Sequence, residues 1–162
     1  MKLSIVAVGH KMPAWIQSGV EEYTKRMPPE ARIELIELKP EDRASKVISK
    51  VLAAEAVRID AAVPQHAERI VLDERGTMVK TVELAGWLKG WMAEGINPCF
   101  MIGSADGLDV AIKQRARKTI ALSACTLPHG LVRVMLVEQL YRAPARAARC
   151  KPTARWFCAR AA

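Results

Sequence analysis

The sequence predicts a single α/β domain whose core is a mostly parallel sheet. The chain has 162 residues, which is the length of one domain, and 51% of them are hydrophobic, enough to form a core. Short apolar runs alternate with segments of helical periodicity along most of the chain. Helix-length segments between strands are typical of parallel pairing, because a parallel strand needs a crossover connection.

The first half of the chain predicts three strands and two helices in alternation. Gly9 and Pro40 end the first two strand patterns, and Gly76 marks the loop after the third. The elements are strand 3–8, helix 14–26, strand 33–38, helix 41–63 and strand 69–73.

The second half continues the alternation and ends in a helix. Gly95 closes the third helix, and Gly103 follows a short buried strand. The elements are helix 79–93, strand 99–102, helix 108–117, strand 119–122 and helix 130–143. Because ligands bind beyond the carboxyl ends of parallel strands, we expect a site at loops 72–76, 103–107 and 122–129.

Several classes of protein are disfavoured by composition. No apolar run approaches the length of a membrane span, and residues 1–8 are too short for a signal peptide, so we expect a cytoplasmic protein without a membrane partner. The four cysteines show no CxxC spacing, which predicts reduced thiols and no metal site.

The net charge of +8 is distributed unevenly. Residues 1–143 contribute +3, and the remaining residues carry five basic side chains and no acid. We therefore divide the chain into a domain at 1–143 and an atypical basic C-terminal tail at 144–162. The tail is interpreted either as a solvated extension or as an RNA contact.

The segment around residue 126 contains several candidate functional side chains close together. Thr126 is expected to cap the last helix and Pro128 to lie in its first turn. His129 would then lie at the positive end of the helix, which lowers its pKa and favours the neutral imidazole, a possible proton acceptor. A thiol dyad of Cys125 with His129 is disfavoured, because no third group is evident.

The last helix is apolar on nearly every face. A chain of this size can rarely surround such a helix, so a subunit interface is the expected partner. Arg133 would be costly to bury alone and should face a carboxylate, a ligand or solvent. Glu138 and Arg142 can pair at i, i+4.

Three stretches resemble one family closely: "MKLSIVAVGHKMPAWIQSGVEEYTKR", "FMIGSADGL" and "LSACTLPHGLVRVMLVEQLYRA". They are similar to the small SPOUT-class methyltransferases that methylate N3 of a pseudouridine in bacterial 23S rRNA. The resemblance covers residues 1 to about 143. It implies a parallel sheet flanked by helices with a trefoil knot in the C-terminal half, a rare exception to the no-knot rule.

The resemblance also implies partners and a cofactor. It implies a homodimer packed through the last helix, action on 23S rRNA in the assembled ribosome, and no metal. S-adenosylmethionine (SAM) would be held by the three predicted loops. The implied cofactor-binding residues are Leu72, Asp73, Gly103, Ser104, Gly107, Leu122, Ser123, Ala124, Cys125, Thr126, Leu127 and Pro128.

The N3–H of pseudouridine must lose a proton as it takes the methyl group. The resemblance and this chemistry together imply that His129 orients the substrate or acts as the base. They imply that Arg133 and Arg142 stabilise the developing negative charge or contact RNA. Two alternatives stay open: a SAM-binding dimer with impaired catalysis, and a non-catalytic ribosome-binding module.

Two departures from the family pattern bear on these alternatives. Ser104 stands where the family usually has a second glycine, which is tolerated unless the φ angle there is positive. The tail lacks the family's terminal His-Pro-Tyr-His-Arg run, and Pro144 is expected to end the helix.

Overall fold

The structure is a computed structural model that describes residues 1–44 and 47–149. In this part of the chain, five strands and five helices alternate as the sequence predicts. They are β1 (Lys2–Val8), α1 (Ala14–Lys25), β2 (Arg32–Leu38), α2 (Ile48–Ala62), β3 (Glu68–Met78), α3 (Thr81–Glu94), β4 (Pro98–Ile102), α4 (Val110–Gln114), β5 (Lys118–Ala121) and α5 (His129–Arg149).

The five strands form one sheet in the order β2-β1-β4-β3-β5, and every pair is parallel. The predicted α/β fold with a parallel sheet is therefore confirmed. Because all strands run in the same direction, the part of β3 just after Leu72, where its pairing to β5 shifts, and the loops that follow β4 and β5 lie at one edge of the sheet. The trefoil knot of the C-terminal half stays a prediction.

Helices cover both faces of the sheet. Alternate side chains of a strand point to opposite faces, so Ile5 and Ala7 of β1 pack on one side while Val6 and Val8 pack on the other. The first face is covered by α1, α3 and α5, and the second by α2 and α4. Burial on both faces explains why β4 reads as a continuous apolar run.

Two predicted boundaries are wrong. The second helix begins at Ile48 and not at residue 41. The third strand does not end at Asp73 but continues to Met78, with a shift in its pairing to β5 between Leu72 and Thr77. A Cβ atom at Gly76 would lie 2.5 Å from the Ile120 carbonyl carbon, so glycine lets β3 pass close to β5 rather than leave the sheet.

The prediction that Pro144 ends the last helix is also wrong, because α5 continues to Arg149. A proline removes one helical hydrogen bond, and neighbouring turns can still hold the helix together. Here the preceding turns are anchored by four fully buried side chains: Leu136, Val137, Leu140 and Ala143. Residues 150–162, which hold most of the predicted tail, lie outside the described residues.

No helix among the described residues is long and apolar enough to cross a bilayer. Cys99 and Cys125 are free thiols, as predicted. Burial raises the pKa of Cys99 to about 11, so this core thiol is protonated at neutral pH. Cys150 and Cys158 lie outside the described part.

Candidate cofactor and substrate site

The three predicted loops line one cavity of about 480 Å³ at the carboxyl edge of the sheet. This volume is in the range of small-molecule sites. Ten of the twelve residues expected to bind cofactor line it: Leu72, Asp73, Gly103, Ser104, Gly107, Leu122, Ser123, Cys125, Thr126 and Leu127. Ala124 and Pro128 do not, although they lie in the same segment.

The second loop closes tightly on itself. Gly107 has a φ of +86°, and its N–H donates to the Ser104 carbonyl at 3.0 Å. A Cβ atom at Gly103 would lie 2.3 Å from the Gly107 carbonyl oxygen, so the turn requires glycine there. Among the described non-glycine residues, positive φ angles occur only at Lys11 and His66, so Ser104 fits without strain.

The first segment contributes a paired carboxylate. Asp73 lies against Lys113 of α4 at 2.5 Å and accepts the Arg75 backbone N–H at 2.9 Å. Burial would raise the pKa of Asp73, but these hydrogen bonds and the charges of Lys113 and Arg75 outweigh burial and lower it. Lys113 and Arg75 both line the cavity. Neither was among the predicted site residues: α4, which holds Lys113, was predicted only as a helix, and Arg75 lies in the predicted 72–76 loop but was not singled out.

The third loop is tied to the first. Thr126 does not cap α5 as predicted, because its hydroxyl instead donates to Glu74 at 2.6 Å. The first helical hydrogen bond of α5 goes to the Pro128 carbonyl from Val132 N–H at 3.1 Å. Within the loop, the Cys125 N–H donates to Ser123 Oγ at 2.9 Å. The third loop is thus held against the part of β3 after Leu72, and its residues line the cavity without filling it.

His129 is the first residue of α5 and lines the cavity. Its Nδ1 is buried, with no hydrogen-bond partner among the described residues. The pKa of His129 is lowered, first by burial and then by the charges of Arg133 and Arg43. The predicted direction is confirmed, but the causes differ from the predicted helix terminus. A neutral imidazole at a cavity wall can accept a proton.

Arg133 lies behind the cavity rather than in its wall. It is 1% exposed, forms an ion pair with Glu37 of β2, and donates to the carbonyls of Val8 and Gly9 at 3.3 and 2.9 Å. The prediction that it faces a carboxylate is confirmed. These hydrogen bonds join the end of β1, the end of β2 and the start of α5.

Arg142 is far from His129 on the same helix. The 1.5 Å rise per residue separates the two positions by about 20 Å along the axis. The side chain of Arg142 is half exposed and pairs with Glu138, as predicted. It does not line the cavity of its own chain. Among the described residues, no group of three His, Cys, Asp or Glu side chains could hold a metal ion.

A five-stranded parallel sheet with three loops closing on one cavity is the architecture of a cofactor-dependent α/β enzyme. Residues 1–146 match the family described as "Predicted SPOUT methyltransferase". The chain therefore belongs to the SPOUT methyltransferase family, and SAM is its methyl donor.

Relatives with high identity cover nearly the whole domain. The chain is 59% identical to the ribosomal RNA large subunit methyltransferase H of Ralstonia pickettii over 144 residues, which are 88% of this chain and 92% of the relative. It is 56% identical to the protein of the same name from Paraburkholderia phytofirmans, with the same coverage.

The fold is also similar to that of a solved structure. A probable methyltransferase from Bordetella pertussis Tohama I superposes with a TM-score of 0.55 at 15% identity, over 87% of this chain and 95% of that chain. At this identity the likeness supports the fold alone.

Proposed function

We propose that this chain methylates N3 of a pseudouridine in 23S rRNA of the assembled ribosome. The single observation that carries the proposal is that three loops converge on one cavity with His129 in its wall. The relatives named ribosomal RNA large subunit methyltransferase H support the substrate class. A cytoplasmic location follows from a ribosomal substrate.

The cavity volume of about 480 Å³ is in the range of sites that hold a small molecule such as SAM. Leu72 and Asp73 would lie beside the adenosine, and Gly103, Ser104 and Gly107 would pack against it from the second loop. Residues 122–128 would wrap the adenine and the methionine through backbone groups, with Ala124 and Pro128 supporting the loop from outside the cavity. SAM, when bound, supplies an electrophilic methyl group.

The protein's own residues would orient the pseudouridine nucleobase and remove the proton from its N3. N3 of pseudouridine carries hydrogen at neutral pH, so it must be deprotonated before or during methyl transfer. His129 lines the cavity, and its lowered pKa favours the neutral imidazole, which suits it to orient the base or accept this proton. Its unpartnered Nδ1 is buried on the side of Gly9. Arg133 keeps the helix start in place, and its charge favours an anion near His129.

Arg142 fits the proposal best in a homodimer. Its guanidinium is half exposed, yet residue 142 lies about 20 Å along α5 from His129 in the cavity of its own chain. A partner packed across α5 would bring Arg142 toward the other subunit's cavity, where it could contact RNA or stabilise developing negative charge. Partly exposed apolar residues of α5, Val132 and Val134 among them, would be covered by the same contact.

The first experiment is methyl transfer from radiolabelled SAM to intact ribosomes that lack this modification. The expected result is incorporation into 23S rRNA, mapped to one pseudouridine, with none into ribosomes that already carry the methyl group. Replacement of His129 by alanine should slow transfer without preventing SAM binding, and an unchanged rate would remove His129 from the mechanism.

A chain that binds SAM but transfers no methyl group would contradict the proposed activity. The defect would then be sought in residues 144–162, by grafting a family-like terminus after Ala143 and repeating the assay. A chain that binds ribosomes but not SAM would favour a non-catalytic role.

A further inference from the structure

α2 contributes a buried carboxylate directly behind the second loop. Glu55 is 2% exposed and does not line the cavity. Its Oε2 accepts the Ser104 hydroxyl at 2.8 Å, and its Oε1 accepts the Glu41 backbone N–H at 3.1 Å. Neither donor is a cation. A buried carboxylate is costly unless it is hydrogen-bonded, so each of these two hydrogen bonds constrains its donor strongly.

Ser104 transmits this constraint to the whole turn. It is 9% exposed, it lines the cavity, and its carbonyl accepts the Gly107 N–H at 3.0 Å. The Gly103 backbone packs against Gly107 so closely that no Cβ atom would fit between them. Movement of Ser104 would therefore move both glycines that shape the cavity wall.

A second contact holds the same loop from its exposed side. Arg43 forms an ion pair with Asp106 at 3.2 Å, with side chains that are 45% and 28% exposed. Ion pairs this open to solvent are weak and screened by salt. The buried Glu55–Ser104 hydrogen bond is the stronger of the two contacts.

From these contacts we infer that Glu55 is a positioning residue for the cofactor: through Ser104 it holds the 103–107 loop in the conformation that binds SAM. The inference rests on the cofactor assigned to this cavity and does not depend on the RNA substrate. It also gives Ser104, where the family usually has glycine, a specific role in this chain.

The test is the dissociation constant for SAM, measured by calorimetry on the full chain. Ser104→Ala removes one of the two donors to the buried carboxylate and leaves Glu55 Oε2 without a hydrogen bond, and we expect SAM to bind about tenfold more weakly. Glu55→Ala should weaken binding to a similar extent. The double variant should be no weaker than the weaker single variant, because both changes remove the same interaction.

The Glu55→Gln variant distinguishes the positioning effect of the hydrogen bonds from the effect of the negative charge. Its amide oxygen can accept the Glu41 N–H while its N–H₂ donates to Ser104 Oγ, since a serine hydroxyl can also accept. Binding within about twofold of the wild type is expected because the hydrogen bonds are conserved. A Glu55→Gln protein as weak as Glu55→Ala would show that the negative charge itself acts on the cofactor, and would overturn the positioning role.

Thr81→Ala is the matched control. It removes a hydroxyl that donates to Gln139 Oε1 at 2.7 Å, between α3 and α5 and outside the cofactor cavity, so the affinity for SAM should not change. Wild-type affinity in Ser104→Ala would overturn the inference.

If Glu55→Ala does not fold, Ser104→Ala and Glu55→Gln still decide the matter. Hydrogen exchange at the Gly107 amide provides a second measurement, and it should be faster in Ser104→Ala than in the wild type. A wild-type chain that binds SAM but fails to methylate ribosomes would contradict only the proposed substrate. A wild-type chain that does not bind SAM would overturn both proposals.

Discussion

Arg133 and Arg142 lie on the same helix, about two and a half turns apart, in opposite environments. Arg133 is 1% exposed and bonds to Glu37 and to the backbone carbonyls of Val8, at the end of β1, and Gly9, just after it. Arg142 is half exposed and bonds to Glu138 one turn away. The same residue type therefore has different roles at two positions of α5: Arg133 joins parts of the fold, whereas Arg142 keeps an exposed guanidinium.

The largest effect should come from Arg133→Met. The change leaves the Val8 and Gly9 carbonyls and the Glu37 carboxylate without a donor, at a cost of about 3 kcal/mol in the free energy of unfolding. Urea denaturation at matched protein concentration measures it. Arg142→Met should lose about 0.5 kcal/mol or less, because its partner is a surface ion pair. Equal losses in the two variants would remove the distinction between the two arginines.

The next effect should be on catalysis. Arg142→Gln should lower the rate of methyl transfer to ribosomes about 100-fold, as expected when a group that stabilises developing charge is removed. The affinity for SAM should stay the same. Glu138→Gln breaks the ion pair but keeps the cation, so it should retain most of the activity. A wild-type rate in Arg142→Gln would exclude this residue from the reaction.

A smaller effect should appear at Gly9, which lies between Arg133 and His129. Gly9 has a φ of +128°, and a Cβ atom there would lie 2.9 Å from both Arg133 Nη2 and His129 Cε1. Gly9→Ala should therefore cost about 2 kcal/mol of stability. Gly90→Ala on α3, where a Cβ meets nothing within 4 Å, should instead stabilise the protein by about 0.5–1 kcal/mol. Thermal unfolding should show a lower midpoint temperature for Gly9→Ala and a higher one for Gly90→Ala than for the wild type.

The smallest effect should be a pH dependence due to His129. Because its folded pKa is below the ordinary 6.5, the unfolded chain takes up a proton first as pH falls. The contribution of His129 to stability is therefore complete above about pH 7, decreases as pH falls through about 6.5, and levels off below the folded pKa. Unfolding free energies of wild type and His129→Asn between pH 8 and pH 5 should diverge in this window, and parallel curves would contradict the lowered pKa.

The hydrophobic periodicity and the positions of glycine and proline were enough to predict the order of the strands and helices. Strands such as β4 are short apolar runs bounded by turn residues, and α1 has a clear apolar stripe, so the sequence alone locates both. The boundary errors occur where local signals conflict with packing. Polar residues at 73–76 look like a loop, but β3 continues through them because Gly76 fits against β5. Pro144 looks like a helix end, but buried residues upstream hold α5.

The cavity could be predicted from topology, because parallel strands bring their carboxyl ends to one edge. The hydrogen-bond partners that are distant in sequence could not be predicted. Nothing near Thr126 in the sequence indicates that its hydroxyl bonds to Glu74, and nothing near Glu55 points to Ser104, 49 residues away. Arg133 is similar: its partner Glu37 is 96 residues distant, so local reasoning could state only that a carboxylate was needed.

The position of α5 also determines when the domain can finish folding during synthesis. The last helix contacts the first elements: Arg133 bonds to the end of β1, Val134 packs beside Gly19, and the Tyr141 ring lies 5.8 Å from that of Tyr23. A nascent chain therefore carries α1 with its apolar face uncovered until nearly all residues have been made. Contacts this distant in sequence slow folding and prolong exposure of that face, so chaperone capture should be strongest just before α5 emerges.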